Sequence, residues 1–158
     1  MVKKMKNKLY MLIGVPGSGK TTWAKNQDWF RDCAYISTDK YVEEWAENVG
    51  KTYSEVFEEY MPVAVARMAG AVNGARDAGK DIIWDQTSTT LASRTRKFRM
   101  LPDYYAIAIV FQTPDEQEHQ RRLKTRPGKV IPEHVLHDMV WNFEMPTLEE
   151  GFHEIWHV

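Results

Sequence analysis

The sequence predicts an α/β fold in three layers, with helices on both faces of a mostly parallel sheet of about five strands. Three observations predict it. Short apolar runs alternate with helical patterns, turn residues separate them, and no stretch rich in Gly, Pro or Ser divides the chain. With 158 residues and 43% hydrophobic content, one conventional core is expected, so residues 1–158 read as a single domain.

The strand expectations are residues 9–14, 34–37, 81–85, 104–111 and 154–158, all short, apolar and rich in Ile, Val, Tyr and Trp. Two helix starts are announced by Thr-x-x-Glu patterns, Thr52-Tyr53-Ser54-Glu55 and Thr113-Pro114-Asp115-Glu116, in which side chains satisfy orphan backbone donors. Pro114 suits a first helical turn. Val65, Met68, Ala69 and Val72 recur at helical spacing, so a helix reaching residue 78 is expected to bury that stripe, with Pro62 breaking or kinking it near its start.

Lys+Arg number 21 against 22 Asp+Glu, for a net charge of -1. That balance excludes a disordered charged tail and a wholly basic nucleic-acid coat, so any nucleic-acid contact must be local. One cysteine, Cys33, cannot form an internal disulfide, which fits a reducing cytoplasm. Lys3, Lys4, Lys6 and Lys8 before the apolar run 9–15 imitate a signal peptide, but Gly14 and Pro16 interrupt the run. Nothing approaches the roughly 20 apolar residues a membrane span needs. A soluble, cytoplasmic protein without membrane contact is expected.

Gly14-Val15-Pro16-Gly17-Ser18-Gly19-Lys20-Thr21 matches G-x-x-x-x-G-K-[ST] at every fixed position, between an expected strand and a helix expected to begin near Lys20. The glycines let backbone N–H groups turn inward on phosphate oxygens, and the helix N-terminus adds positive dipole. Gly14, Pro16, Gly17, Ser18, Gly19, Lys20, Thr21 and Thr22 are therefore the expected binding residues for ATP or another NTP. Lys20 reaches for the β- and γ-phosphates, and the Thr21 hydroxyl is the expected Mg²⁺ ligand.

The apolar strand Ile82-Ile83-Trp84 ends in Asp85-Gln86, where a motor ATPase would carry Asp-Glu, and no Asn-Lys-x-Asp guanine-reading motif occurs. That favours phosphoryl transfer to a bound acceptor over a hydrolysis cycle. Transfer needs a carboxylate to take the acceptor's proton. Asp39 follows the second expected strand at the sheet's carboxyl edge, 18 residues after Thr21. Position alone leaves two roles open for it, general base or N-cap of a helix starting at Lys40. Asp85 shares that edge, where it can hold a magnesium-bound water, hold a substrate-binding arginine, or close a turn.

Positive charge gathers in two acid-free stretches: Arg94, Arg96, Lys97 and Arg99, then Arg121, Arg122, Lys124, Arg126 and Lys129. Residues 43–59 carry six acids and one lysine. Pro127-Gly128 lies within the second basic stretch, which reads as a short Arg-rich lid able to neutralise transferring charge. The first stretch suits backbone phosphates of a polymeric substrate, with a solvated helix face as the ordinary alternative for such runs.

These residues resemble the kinase domain of the 5′-polynucleotide kinases of T-even phages and of animal DNA-end repair enzymes, and the likeness spans nearly the whole chain. Residues 14–22 resemble that family's nucleotide cradle, and Ile36-Ser37-Thr38-Asp39 stands where the family has an apolar residue and Asn-Arg-Asp. Asp85-Gln86-Thr87-Ser88 and Ala92-Ser93-Arg94-Thr95-Arg96 are similar to its Asp-Asn-Thr-Asn and Ser-Arg-x-Arg segments. Arg122 and Arg126 match its paired lid arginines in spacing. Asn142-Phe143-Glu144-Met145-Pro146-Thr147-Leu148-Glu149-Glu150-Gly151-Phe152 closely resembles the ending of the animal kinase domain.

The resemblance implies a P-loop kinase-type fold, with Asp39 as general base, Arg126 and Arg122 clamping the transferring group beside Lys20, and Asp85, Thr87 and Arg94 on the substrate side. It implies ATP and Mg²⁺ as cofactors, a nucleic acid with a 5′-OH end as partner, and the host cytoplasm if the chain is phage-like. The chain departs from the pattern at Ser37-Thr38, at Ser88 and at Val42, where the phage enzymes have an arginine. No Asp-x-Asp-x-Thr motif occurs, so no phosphatase domain is expected. The expected activity is transfer of the γ-phosphate of ATP to a nucleic-acid hydroxyl, foremost a 5′-OH. The alternatives are kinases of a small metabolite or a hydroxymethylated base in DNA, and a non-catalytic NTP-binding switch.

Overall fold

The strand β1 (Lys8–Ile13) runs through the middle of a five-stranded sheet ordered β2-β3-β1-β4-β5 in the computed structural model, which describes residues 5–158. Lys3 and Lys4 of the N-terminal basic run lie outside the described residues. β2 (Ala34–Ile36), β3 (Ile82–Asp85), β4 (Tyr105–Val110) and β5 (Glu154–His157) all pair in parallel. The five expected strands are all present, each end within one residue of its expected place.

Parallel strands need crossovers, and the helices that supply them cover both faces, so β1 is buried along nearly its whole length. Its residues alternate between two cores. Leu9, Met11 and Ile13 join Ile82, Trp84, Ala106 and Ala108 beneath α2 (Asp39–Val49) and α3 (Tyr53–Asp77). Tyr10 and Leu12 join Ile83, Ile107 and Ile109 beneath α1 (Lys20–Lys25) and an aromatic group of Trp23, Trp29 and Phe111. At roughly 1.5–3 kcal/mol per fully buried large aliphatic side chain, β1 is the main apolar anchor of the glycine loop that follows it.

α3 begins as expected, with a Thr52–Glu55 capping box. It does not break at Pro62: the helix runs 25 residues through it. Pro62 and Glu58 are both exposed, so the Glu58 carbonyl that loses its amide partner is left to water. Of the expected stripe, Met68 and Val72 are buried, Ala69 is half-buried and Val65 is turned out. Val56, Ala64, Met68, Val72 and Ala75 face the sheet, while Val65 stays 44% exposed. The start expected at Thr113 is shifted as well, because residue 115 is still extended. α5 (Glu116–Lys124) is capped by the Asp115 carboxylate, which accepts from the Glu118 amide at 2.9 Å.

α4 (Leu91–Met100) and α6 (Glu133–Trp141) complete the helices. The segment after α6 is tied back by the Arg94–Glu150 ion pair, by the Glu144 amide on the Thr89 carbonyl, and by the His153 amide on the Ala106 carbonyl. Among the described residues, no helix is long and apolar enough to cross a membrane.

Candidate active site

β1 ends on Gly14, whose amide donates to the Thr87 carbonyl at 2.9 Å and so joins the glycine loop to the strand end after β3. A Cβ at Gly14 would stand 2.6 Å from Ser18 Oγ and 3.0 Å from Phe111 Cβ, which only glycine avoids. The loop then turns through Gly17 and Gly19, at φ 79 and 97, into α1. Ser18 Oγ is buried inside this turn without a hydrogen-bond partner, an orphaned donor of the kind a phosphate oxygen would satisfy.

Lys20 is 9% exposed, and its ammonium donates to the Val15 carbonyl at 3.0 Å. Burial lowers it to about 8, against the opposing pull of Asp85 and Asp39, with Arg126 lowering it further. The Thr21 hydroxyl donates to Asp85 Oδ2 at 2.6 Å, and the Tyr35 hydroxyl donates to the same oxygen. Burial, followed by the charge of Asp85, raises the Tyr35 phenol well above its ordinary value, so it stays a donor. Asp85 therefore stands on the Thr21 side of the site, the arrangement in which a P-loop threonine and a strand-end aspartate hold Mg²⁺. That donor set fits the ion: one hydroxyl, one nearby carboxylate, and room for water and phosphate oxygens.

Asp39 is the first residue of α2; Thr38 precedes it as N-cap, and the Asp39 side chain makes no cap. Asp39 Oδ1 instead accepts from the Tyr53 hydroxyl at 2.6 Å, and Oδ2 lies 4.0 Å from the Lys129 ammonium. Lys129 also pairs with Glu43 and sits 4.6 Å above the Tyr53 ring. Asp39, Lys20, Thr21, Thr22, Asp85, Thr87 and Arg126 all line one cleft of about 790 Å³, with Pro16, Gly17 and Gly19 at its loop end. Its far wall is mostly apolar, formed by Phe57, Met61, Ile131, Val135 and Met139.

Of the residues expected on the catalytic and substrate sides, two are not brought to this cleft. Arg94 is 1% exposed and paired with Glu150, and it donates to the Ser88 carbonyl at 3.0 Å, contacts that hold the fold together. Arg122 lies against the outside of the glycine loop, donating to the Gly17 carbonyl at 3.2 Å and pairing with Glu118 at 2.9 Å. Lys97, from the first basic stretch, is likewise interior, 5.5 Å above the Trp84 ring and lowered by burial to about 8.

Sequence reasoning missed Tyr35, Tyr53 and His119. His119 is 4% exposed and its Nε2 bonds the Pro16 carbonyl at 2.6 Å. The i, i+3 spacing of His119 and Arg122 on one face of α5 was a usable signal. The tyrosines carried none, because contacts spanning 50 and 14 residues depend on the folded path.

A strand-loop-helix phosphate cradle, with a strand-end carboxylate on its threonine and a second carboxylate across the cleft, defines a P-loop domain of the kinase type. Residues 9–146 match the AAA domain family, and the chain belongs to it. Its fold is similar to that of a candidate kinase from Chloroflexus aurantiacus, with a TM-score of 0.71 at 16% identity over 98% of this chain and 88% of that one. It is similar to a chain in the Pnkp1/Rnl/Hen1 RNA repair complex, with a TM-score of 0.67 at 19% identity. That match covers 89% of this chain, which spans only 45% of the repair protein. Shikimate kinase from Acinetobacter baumannii in complex with shikimate is also similar, with a TM-score of 0.56 at 22% identity over 96% of this chain and 84% of that one.

Proposed function

We propose that this chain is an ATP-dependent phosphotransferase that moves the γ-phosphate onto a nucleic-acid hydroxyl, foremost the 5′-OH end of DNA or RNA. The observation that carries the reading is the shared cleft of Lys20 and Asp39. Lys20 and the loop amides hold the β- and γ-phosphates, and Thr21 with Asp85 holds Mg²⁺, which supplies charge neutralisation on those phosphates. Asp39 orients the acceptor hydroxyl and takes its proton as the new O–P bond forms and ADP leaves. Arg126 neutralises the transferring group. Likeness to a chain of an RNA repair complex and the C-terminal segment 142–152 support the nucleic-acid acceptor.

A specific observation favours a second reading, a small-molecule acceptor. The far wall of the cleft is apolar, Lys129 there is paired with Glu43, and two cations of the first basic stretch, Arg94 and Lys97, are buried. A polymer track of free cations is thereby thinned. Labelled ATP offered with 5′-OH DNA, 5′-OH RNA, a duplex with hydroxymethylated bases and a metabolite panel separates the readings by which product carries label. Asp39→Ala is expected to keep nucleotide binding and lose transfer by about 10²-fold or more. A fully active Asp39→Ala protein overturns the base assignment.

A further inference from the structure

We propose that Tyr53 is a positioning residue that makes Asp39 discriminate an acceptor hydroxyl from water, suppressing wasteful hydrolysis of ATP while the acceptor side is empty. This rests on Asp39 being the base of the proposed reaction.

A cleft open enough to admit an acceptor also admits water, and a free carboxylate beside a bound triphosphate would activate it. Asp39 is not free in that sense. Oδ1 of Asp39 accepts from the Tyr53 phenol at 2.6 Å, and Oδ2 faces the Lys129 ammonium at 4.0 Å. Lys129 lies over the ring of the same tyrosine and pairs with Glu43, so phenol, ammonium and two carboxylates form one closed set. Burial, together with the charge of Asp39, raises the Tyr53 phenol above its ordinary value, which keeps the proton on the tyrosine.

The phenol therefore makes the hydrogen bond that an acceptor hydroxyl must make before it can react. A single water has too few contacts to displace it. An acceptor held along the cleft wall by its remaining atoms brings enough binding energy to exchange its own hydroxyl for the phenol. In the suppressed side reaction, a water oxygen would bond to the γ-phosphorus as the bridge to the β-phosphate breaks. The water's proton would pass to Asp39, and ADP and phosphate would leave.

The test compares phosphate release from Mg·ATP without acceptor with label transfer to a 5′-OH oligonucleotide, in the full chain. Tyr53→Phe keeps the ring beneath Lys129 and frees Oδ1; it is expected to raise acceptor-free phosphate release about tenfold, and adding Asp39→Asn is expected to remove that gain. Lys129→Gln, which removes the ammonium 4.0 Å from Oδ2 and over the Tyr53 ring, is expected to raise release as well and provides the test if Tyr53→Phe does not fold. Release unchanged in the folded variants, or a gain that survives Asp39→Asn, overturns the inference. Wild-type protein that labels no acceptor overturns the transferase reading instead, whatever the variants release.

Discussion

The Thr21 hydroxyl stands 2.6 Å from Asp85 Oδ2, a contact across 64 residues that joins the start of α1 to the end of β3. Tyr35, from the edge strand β2, donates to the same oxygen, so two hydroxyls fix one carboxylate. Groups that orient a metal-side carboxylate typically carry about 10-fold in metal affinity. Tyr35→Phe should therefore raise the Mg²⁺ concentration for half-maximal activity by about that factor, and leave metal-free nucleotide affinity as it was. A Mg²⁺ titration of phosphate transfer reads it. An unmoved titration curve would take Asp85 off the metal side.

Lys20 predicts a pH signature. Its free-state value, lowered to about 8 chiefly by burial, rises when phosphate charge arrives beside it. A group protonated more fully in the bound state draws protons on binding, here above about pH 8 and not below it. Nucleotide affinity should accordingly fall as pH rises through 8. Calorimetry at pH 9 in buffers of different ionisation enthalpy should show uptake of up to one proton. At pH 7 this lysine should contribute none, and Lys20→Arg should abolish the uptake at pH 9.

The phosphate cradle was legible because its chemistry is local. Gly14 to Thr21 announces itself within eight residues, and the strands that flank it are uninterrupted apolar runs. Asp39 and Asp85 were legible as strand-end carboxylates at the edge where ligands gather. What the sequence could not carry is partner choice. Arg94 looks like surface charge until Glu150, 56 residues on, is folded over it. The edge of a helix face is hidden for a similar reason: Met68 and Val72 are buried as their spacing predicts, but Ala64 rather than Val65 completes the stripe because the sheet, and not the hydrophobicity of either residue, sets the face.

Arg94 distinguishes structural from substrate charge. Its side chain is 1% exposed and that of Glu150 is 6% exposed, so removing one partner leaves the other buried and uncompensated. Breaking such a pair typically costs about 3–5 kcal/mol. Arg94→Met should lower unfolding free energy by that order in urea. Arg99→Ala, on the exposed side of the same helix, should stay within about 0.5 kcal/mol. If Arg94→Met keeps full stability and raises KM for the acceptor, the arginine belongs to the substrate after all.

His119 and Arg122 hold consecutive carbonyls of the glycine loop, Pro16 at 2.6 Å and Gly17 at 3.2 Å, so α5 fixes the loop from its outer side. The fit is close: a Cβ at Gly17 would stand 3.1 Å from Leu123 and 3.3 Å from His119. Because these contacts brace the loop backbone and not the reacting atoms, losing a support should loosen nucleotide binding more than it slows the chemical step. His119→Ala should raise KM for ATP several-fold, with kcat little changed, and destabilise the fold by about 1 kcal/mol or more through the part-buried Pro16 carbonyl left without its partner. Since both side chains restrain one backbone turn, His119→Ala and Arg122→Ala should not add. A double-mutant cycle on ATP affinity should give a coupling of about 0.5–3 kcal/mol, and strict additivity would mean that α5 carries the two residues without bracing the loop.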